Sequence, residues 1–247
     1  MSAVMPMTPI CFFIREPRRT SWHFLTDHRT LLSMLQNLFN PPFIIAILIA
    51  LTVHEWAHAL VADRLGDPTP RSEGRLTLNP VAHLDPVGTL LFFLVSFGWG
   101  KPVPVNPRYF KHYKRDSALT AIAGPISNLI LAILALVFIN HVLPFFVHVG
   151  STDRVGLFFS EVFFNLVLIN LSLMAFNLLP IAPLDGSKVL EAFIPLRHED
   201  AYHRFMQRGP MILLGILILE RAFNIPILAM WMSAIVQGVI GVMMKIV

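Results

Sequence analysis

The sequence His54-Glu55-Trp56-Ala57-His58 sets two imidazoles four residues apart with a carboxylate between them. On a helix, residues four apart share a face, one turn above the other. Both rings can then reach a single zinc ion at about 2.0–2.1 Å. Glu55 lies beside that ion and can serve as general base toward a water, whose pKa zinc lowers to about 7. A five-residue pattern recurs by chance, so its setting decides. These three ionisable groups interrupt an otherwise apolar stretch. Without partners they are costly in a membrane helix, and such residues mark functional sites by default. One buried zinc would compensate all three.

A catalytic zinc takes three protein ligands and keeps one position open. Asp185 is the best candidate for the third, at the end of an apolar run and followed by Gly186, which allows close backbone approach. An Asp before a helix is also an ordinary N-cap, and position alone leaves both readings open. Glu73, Asp85, Glu161 and Glu220 have weaker settings, although Asp85 has suitable chemistry. Asn128, inside an apolar helix, could orient a substrate carbonyl or stabilise an oxyanion. Its simpler role is an interhelical hydrogen bond, and the sequence leans that way. Asn177 and Pro180 are expected to shape the helix end that carries Asp185. The other histidines fall in loops or at helix ends and are read as structural or solvated.

Elements that could position these residues are membrane helices. Hydrophobic residues make up 55% of the 247, and charged residues 14% against roughly a quarter in soluble domains. Mean hydropathy is +0.65. The single cysteine excludes an internal disulfide and a Cys-rich zinc finger. The net charge of +4 comes from Lys and Arg in loops between apolar runs, a topology signal rather than a nucleic-acid surface. We expect an all-α, polytopic bundle of about five or six helices with a short re-entrant hairpin. Residues 1–40 read as an arm, with an amphipathic lead-in from Leu31 to Phe39 and no evident secretory signal. Residues 41–190 read as the membrane-embedded core, and 191–247 as a polar loop plus a helical hairpin. Spanning helices are expected over Phe43 to Leu65, Leu119 to Phe138 and Leu157 to Leu179. The apolar stretch from Gly88 to Phe97 is too short to span and should turn back.

Loop charge tests that topology. If 88–97 turns back, one side carries Arg64, Arg71, Arg75, Lys101, Arg108, Lys111, Lys114, Arg115, Lys188, Arg197, Arg204 and Arg208, and the other short loop only Arg154. Twelve against one is the positive-inside pattern, with the metal site toward the cytoplasmic face of a bacterial-type cell membrane. Arg15, Arg18, Arg19 and Arg29 in the arm run against it.

These motifs, in this order, resemble the site-2 protease family of intramembrane zinc metalloproteases, the M50 peptidases. His54 to His58 is similar to the family's zinc motif on its first core helix. Ala123-Gly124-Pro125 with Asn128 is similar to its middle-helix motif. Asn177-Leu178-Leu179-Pro180-Ile181-Ala182-Pro183-Leu184-Asp185-Gly186 is similar to its second zinc motif. The stretch from Phe97 to Asn106 is similar to the segment after its re-entrant hairpin. The resemblance covers about residues 43–190. It implies Asp185 as third ligand of one Zn2+ per chain and Glu55 as catalytic base. It implies hydrolysis of peptide bonds in or near the transmembrane segment of a protein or peptide substrate, in a lipid bilayer. Such a substrate must unwind locally, and the 88–97 hairpin could offer it a strand edge. A minimal, core-only branch without PDZ or CBS domain is expected, while the oligomeric state is open. Three other classes stay open. A zinc-binding pseudoprotease is opposed by Glu55. A metal transporter would need a polar path that Phe43 to Val53 does not supply. A soluble zinc peptidase is opposed by the long apolar runs.

Overall fold

The computed structural model describes residues 40–95, 98–146, 154–223 and 225–246. The expected arm, its lead-in helix and the last two residues of the 88–97 segment lie outside the described residues. The described elements are helical, and no strand forms among them. Leu84 and Gly100 make an isolated antiparallel bridge.

Among the described residues, three helices are long and apolar enough to cross a membrane. The first, α1, runs Pro41–Arg64, opened by two prolines whose missing N–H groups would go unpaired in the first turn anyway. Its buried residues include Ala46, Ala50, His54, His58 and Ala62, one every fourth position. The next short helix, α2, is Pro86–Val95. The second long helix, α3, is Tyr113–Val137 and continues through a π-helical turn at Phe138–Val142. It buries Asp116, Thr120, Gly124, Asn128, Ala132 and Leu136, again four apart. The third, α4, is Arg154–Asn177. Helices in lipid gain nothing from hiding apolar groups from one another, so small residues that let backbones approach carry the packing. Two such stripes face each other here, each with polar residues at its middle.

The contacts fix direction. His54 meets Asn128 and His58 meets Thr120. Numbers rise along α1 as they fall along α3, so the two helices are antiparallel. Asn128 meets Asn170, and Phe138 stacks on Phe163, which makes α4 antiparallel to α3. The Arg64 end of α1 and the Tyr113 end of α3 therefore lie together, and the chain between them leaves and returns at one end of the pair.

That connection contains α2. A strand edge is one expectation for the 88–97 segment, but Pro86–Val95 is helical. Asp85 explains why: its carboxylate accepts from Gly88 N–H at 2.7 Å and its carbonyl from Thr89 N–H at 2.8 Å, so it starts a helix ahead of Pro86. The chain does fold back. Lys101 N–H donates to the His83 carbonyl at 2.8 Å, and Gly88 packs against the Trp99 backbone so tightly that a Cβ would collide with it.

Beyond α4, a turn leads to α5, Asp185–Glu191, then α6, Glu199–Met206. Helices α7, Gly209–Phe223, and α8, Ile227–Ile246, follow. A small core of Leu179, Leu184, Leu213 and Leu228 joins them to the turn, and the Trp231 indole N–H donates to the Ala175 carbonyl.

Candidate metal centre

His54 and His58 project from α1 with their Nε2 atoms 3.0 Å apart. Asp185 opens α5, and its Oδ2 lies 3.3 Å from each Nε2. The other ring nitrogens decide what these contacts are. His54 Nδ1 is 2.6 Å from Asn128 Oδ1, and His58 Nδ1 is 2.7 Å from the Thr120 carbonyl. Both oxygens can only accept, so both Nδ1 atoms carry the proton and each neutral ring turns a lone pair inward at Nε2. Two imidazole lone pairs and a carboxylate oxygen then converge with no donor among them. Asp185 Oδ2 is buried without a hydrogen-bond partner. Such a cluster needs a cation. Two ligands bound tetrahedrally at 2.0–2.1 Å are about 3.3–3.4 Å apart, so edges of 3.0 and 3.3 Å fit a zinc-sized ion with little adjustment.

Each ring is held from behind. Asn128 Nδ2 donates to Asn170 Oδ1 at 2.7 Å and to the Ala50 carbonyl at 3.2 Å, while Asn170 Nδ2 donates to the Leu166 carbonyl at 2.8 Å. The amides are thereby oriented in series, ending on His54 Nδ1. Interhelical hydrogen bonds in membranes average about 0.6 kcal/mol, so this series contributes little to bundling and more to fixing one tautomer of a ligand. Asn128 is fully buried. Of its two sequence readings, the interhelical bond is the one it makes. The sequence does not single out Asn170, since an Asn in an apolar helix gives no sign of its partner.

Two glycines let these elements approach. A Cβ on Gly124 would strike the rings of both His54 and His58. A Cβ on Gly186 would strike the Leu178 and Leu179 carbonyls, where α5 begins against the turn after α4. Asp185 is not the N-cap. Leu184 holds that place, which frees the carboxylate to point at the imidazoles. Asn177 bonds back to the Leu173 carbonyl at 3.1 Å and lines the site cavity, whereas Pro180 is exposed in the turn. The other acids are accounted for. Asp85 starts α2, Glu161 accepts from Asn40, Glu220 accepts from Ala229 N–H, and Glu73 is exposed at the end of a short helix.

Glu55 lines the same cavity, which has a volume of about 530 Å³, and accepts from Val103 N–H at 3.1 Å. Trp99, Pro102, Val103 and Val105 form one wall, Leu173 and Phe176 another. The cavity is thus bounded by the Glu55 carboxylate and by the cluster of His54, His58 and Asp185.

The model of "Peptidase family M50" matches residues 141–219, which include Asp185. The Bacillus subtilis (strain 168) protein named "Putative zinc metalloprotease YwhC" is 44% identical over 158 residues, 63% of this chain and 70% of that protein. The Mycolicibacterium smegmatis protein named "Putative zinc metalloprotease Rip2" is 31% identical over 180 residues, 69% of this chain and 64% of that one. A Mycobacterium tuberculosis Rip2 is 33% identical over 150 residues and is covered over 54% of its length. No solved structure matches the chain. The order of motifs, the convergent site and a relative this similar over more than two thirds of its length lead to one family: the chain belongs to peptidase family M50.

Proposed function

We propose that this chain is an intramembrane zinc metalloprotease, with His54, His58 and Asp185 as the zinc ligands and Glu55 as general base and acid. The observation that carries the reading is the convergence of three lone-pair donors, two with their tautomers fixed, on a point that offers no proton. The names of the relatives support zinc. When bound there, zinc supplies a Lewis acid that polarises a peptide carbonyl and makes water acidic enough to ionise near neutral pH.

The chain's own residues do the rest. Glu55, beside the ligands and open to the cavity, takes the proton of the attacking water and passes it to the leaving amine. Val103 N–H holds one carboxylate oxygen at 3.1 Å and limits its rotation. Asn128 and the Thr120 carbonyl keep the imidazoles in the tautomer that can bind. Leu173 and Phe176 offer an apolar wall, and Trp99 to Val105 an extended backbone, for a substrate segment that has left its helix. Asn177, Pro180 and Gly186 shape the turn that delivers Asp185.

We place the site in a multi-pass protein, with residues 41–190 as the peptidase core, 1–40 as an arm and 191–247 as an accessory loop and hairpin. Three apolar helices, and a connection that leaves and returns at one end of α1 and α3, support the re-entrant topology and so the cytoplasmic, basic face for the metal end. A membrane-spanning protein or peptide is the proposed substrate class.

Glu55→Gln separates catalysis from metal binding. Purified protein carrying it should retain one zinc per chain, while cleavage of a single-span reporter in detergent micelles falls by about 10²–10⁴-fold, the range of general acid–base catalysis. Undiminished cleavage would end the catalytic assignment.

A further inference from the structure

Among the described residues, four charged side chains outside the metal centre are almost wholly buried, Asp67, Arg75, Asp116 and Glu191, and the mechanism above uses none; two of them, Asp67 at 0% exposure and Arg75 at 4%, belong together. Both grip the same piece of backbone. Asp67 Oδ2 accepts from Asn106 N–H at 2.6 Å, while its other oxygen takes Thr69 N–H at 3.0 Å and Thr69 Oγ at 2.5 Å. Arg75 Nη2 donates to the Lys101 carbonyl, and Lys101 N–H is held by the His83 carbonyl. Lys101 and Asn106 are the two ends of an extended, irregular stretch, and at its middle Val103 N–H reaches Glu55.

The sequence of the stretch fits this arrangement. Pro102 and Pro104 have no N–H and a fixed φ. They remove donors and stiffen the backbone between the clamps. A rigid strip held at both ends transmits its position to its centre. Burying a carboxylate and a guanidinium away from each other, each against backbone, is costly, the more so because Arg75 Nε is buried without a hydrogen-bond partner. A simple loop closure needs neither.

We infer that Asp67 and Arg75 are positioning residues for the reaction: they clamp Lys101 and Asn106 so that Val103 N–H orients the Glu55 carboxylate and the strip forms a fixed cavity wall. The inference rests on the proposed role of Glu55, and its test separates the two.

The first arm needs no substrate. In a Cys11→Ser, Val105→Cys background, labelling by a water-soluble maleimide in micelles should be at least ten-fold faster with Asp67→Asn or Arg75→Lys, at unchanged zinc content. Equal labelling rates would overturn the inference, and so would loss of zinc in both of these mild variants, since they would then be general folding residues. The second arm uses the single-span reporter. Asp67→Asn and Val103→Pro should each lower kcat about ten-fold or more with KM altered less than three-fold. Combined, they should lower it less than two-fold beyond the stronger single variant, because both act through one hydrogen bond. Multiplicative losses would refute the clamp. Active Glu55→Gln would instead refute the catalytic reading, leaving the labelling result to stand alone.

Discussion

Helix α5 carries a histidine–carboxylate cluster at each end. At its start, Asp185 meets His54 and His58; at its finish, Glu191 meets Glu199 and His203. The residue types are alike and the chemistry is not. In the first cluster the donor atoms are 3.0–3.3 Å apart, and one oxygen is buried with no partner. In the second, His203 Nε2 stands 3.6 and 3.7 Å from the two carboxylates, and cations are already in place. Lys188 lies 2.9 Å from Glu191, Lys114 lies 3.2 Å from Glu199, and the Tyr113 hydroxyl donates to Glu191 at 2.7 Å. Charge balance, more than ligand identity, distinguishes a metal centre from an ion-pair network. The second cluster fastens α5 to α3 and α6, and so holds the helix on which Asp185 rides.

The largest effect that would break this contrast concerns zinc itself. His58→Ala and Asp185→Ala should each abolish stoichiometric zinc, measured by elemental analysis of purified protein. Glu199→Ala and His203→Ala should leave one zinc per chain. Two zinc ions in the wild type, or full zinc in Asp185→Ala, would erase the distinction. A smaller effect should follow from Asn128→Ala, which removes the acceptor behind His54 without touching a ligand. Zinc affinity should fall about 10–100-fold in chelator competition, the usual loss when such a partner is removed. The smallest effect belongs to the second cluster. Burial pushes the Glu191 carboxyl up, but Tyr113 and Lys188 outweigh it and hold the carboxyl below its ordinary 4.5. A depressed carboxylate stabilises the fold above the unfolded value and ceases to as pH falls through the folded one. The gap in Tm between wild type and Glu191→Gln should therefore narrow below pH 4.5. A gap that stays constant would mean that these charges are not coupled.

The first cluster is half legible in the sequence, because His54, Glu55 and His58 lie within one helical turn and spacing alone places them. Asp185 is ambiguous there, since an acid before a helix can cap it; only the backbone shows Leu184 in that role. Asn170, Asp67 and Arg75 are out of reach because their partners lie 42, 39 and 26 residues away in the chain. Long apolar runs mark the three long apolar helices to within a few residues, except that α3 begins at Tyr113, ahead of its apolar stretch. Its first turn carries the Tyr113 hydroxyl and Lys114, which bond to Glu191 of α5 and Glu199 of α6. The length of the segment after Asp85 already shows that it is too short to cross. Its helical form is harder to read, because it depends on the Asp85 carboxylate holding the Gly88 N–H, at a junction where Asp and Pro also suit a turn.

The place of the imidazoles along α1 has a consequence for products. His58 is six residues and His54 ten from Arg64, or about 9 and 15 Å along the helix axis. The ion they hold would sit about 6 Å from the midpoint of a helix roughly 36 Å long, toward its Arg64 end. A span cut opposite that point yields unequal pieces. One keeps most of its apolar length and stays in the bilayer; the other keeps only a stub, too short to anchor it. Under the function proposed above, cleavage would work as a one-sided release, freeing whatever is attached on the Arg64 side and leaving the remainder behind.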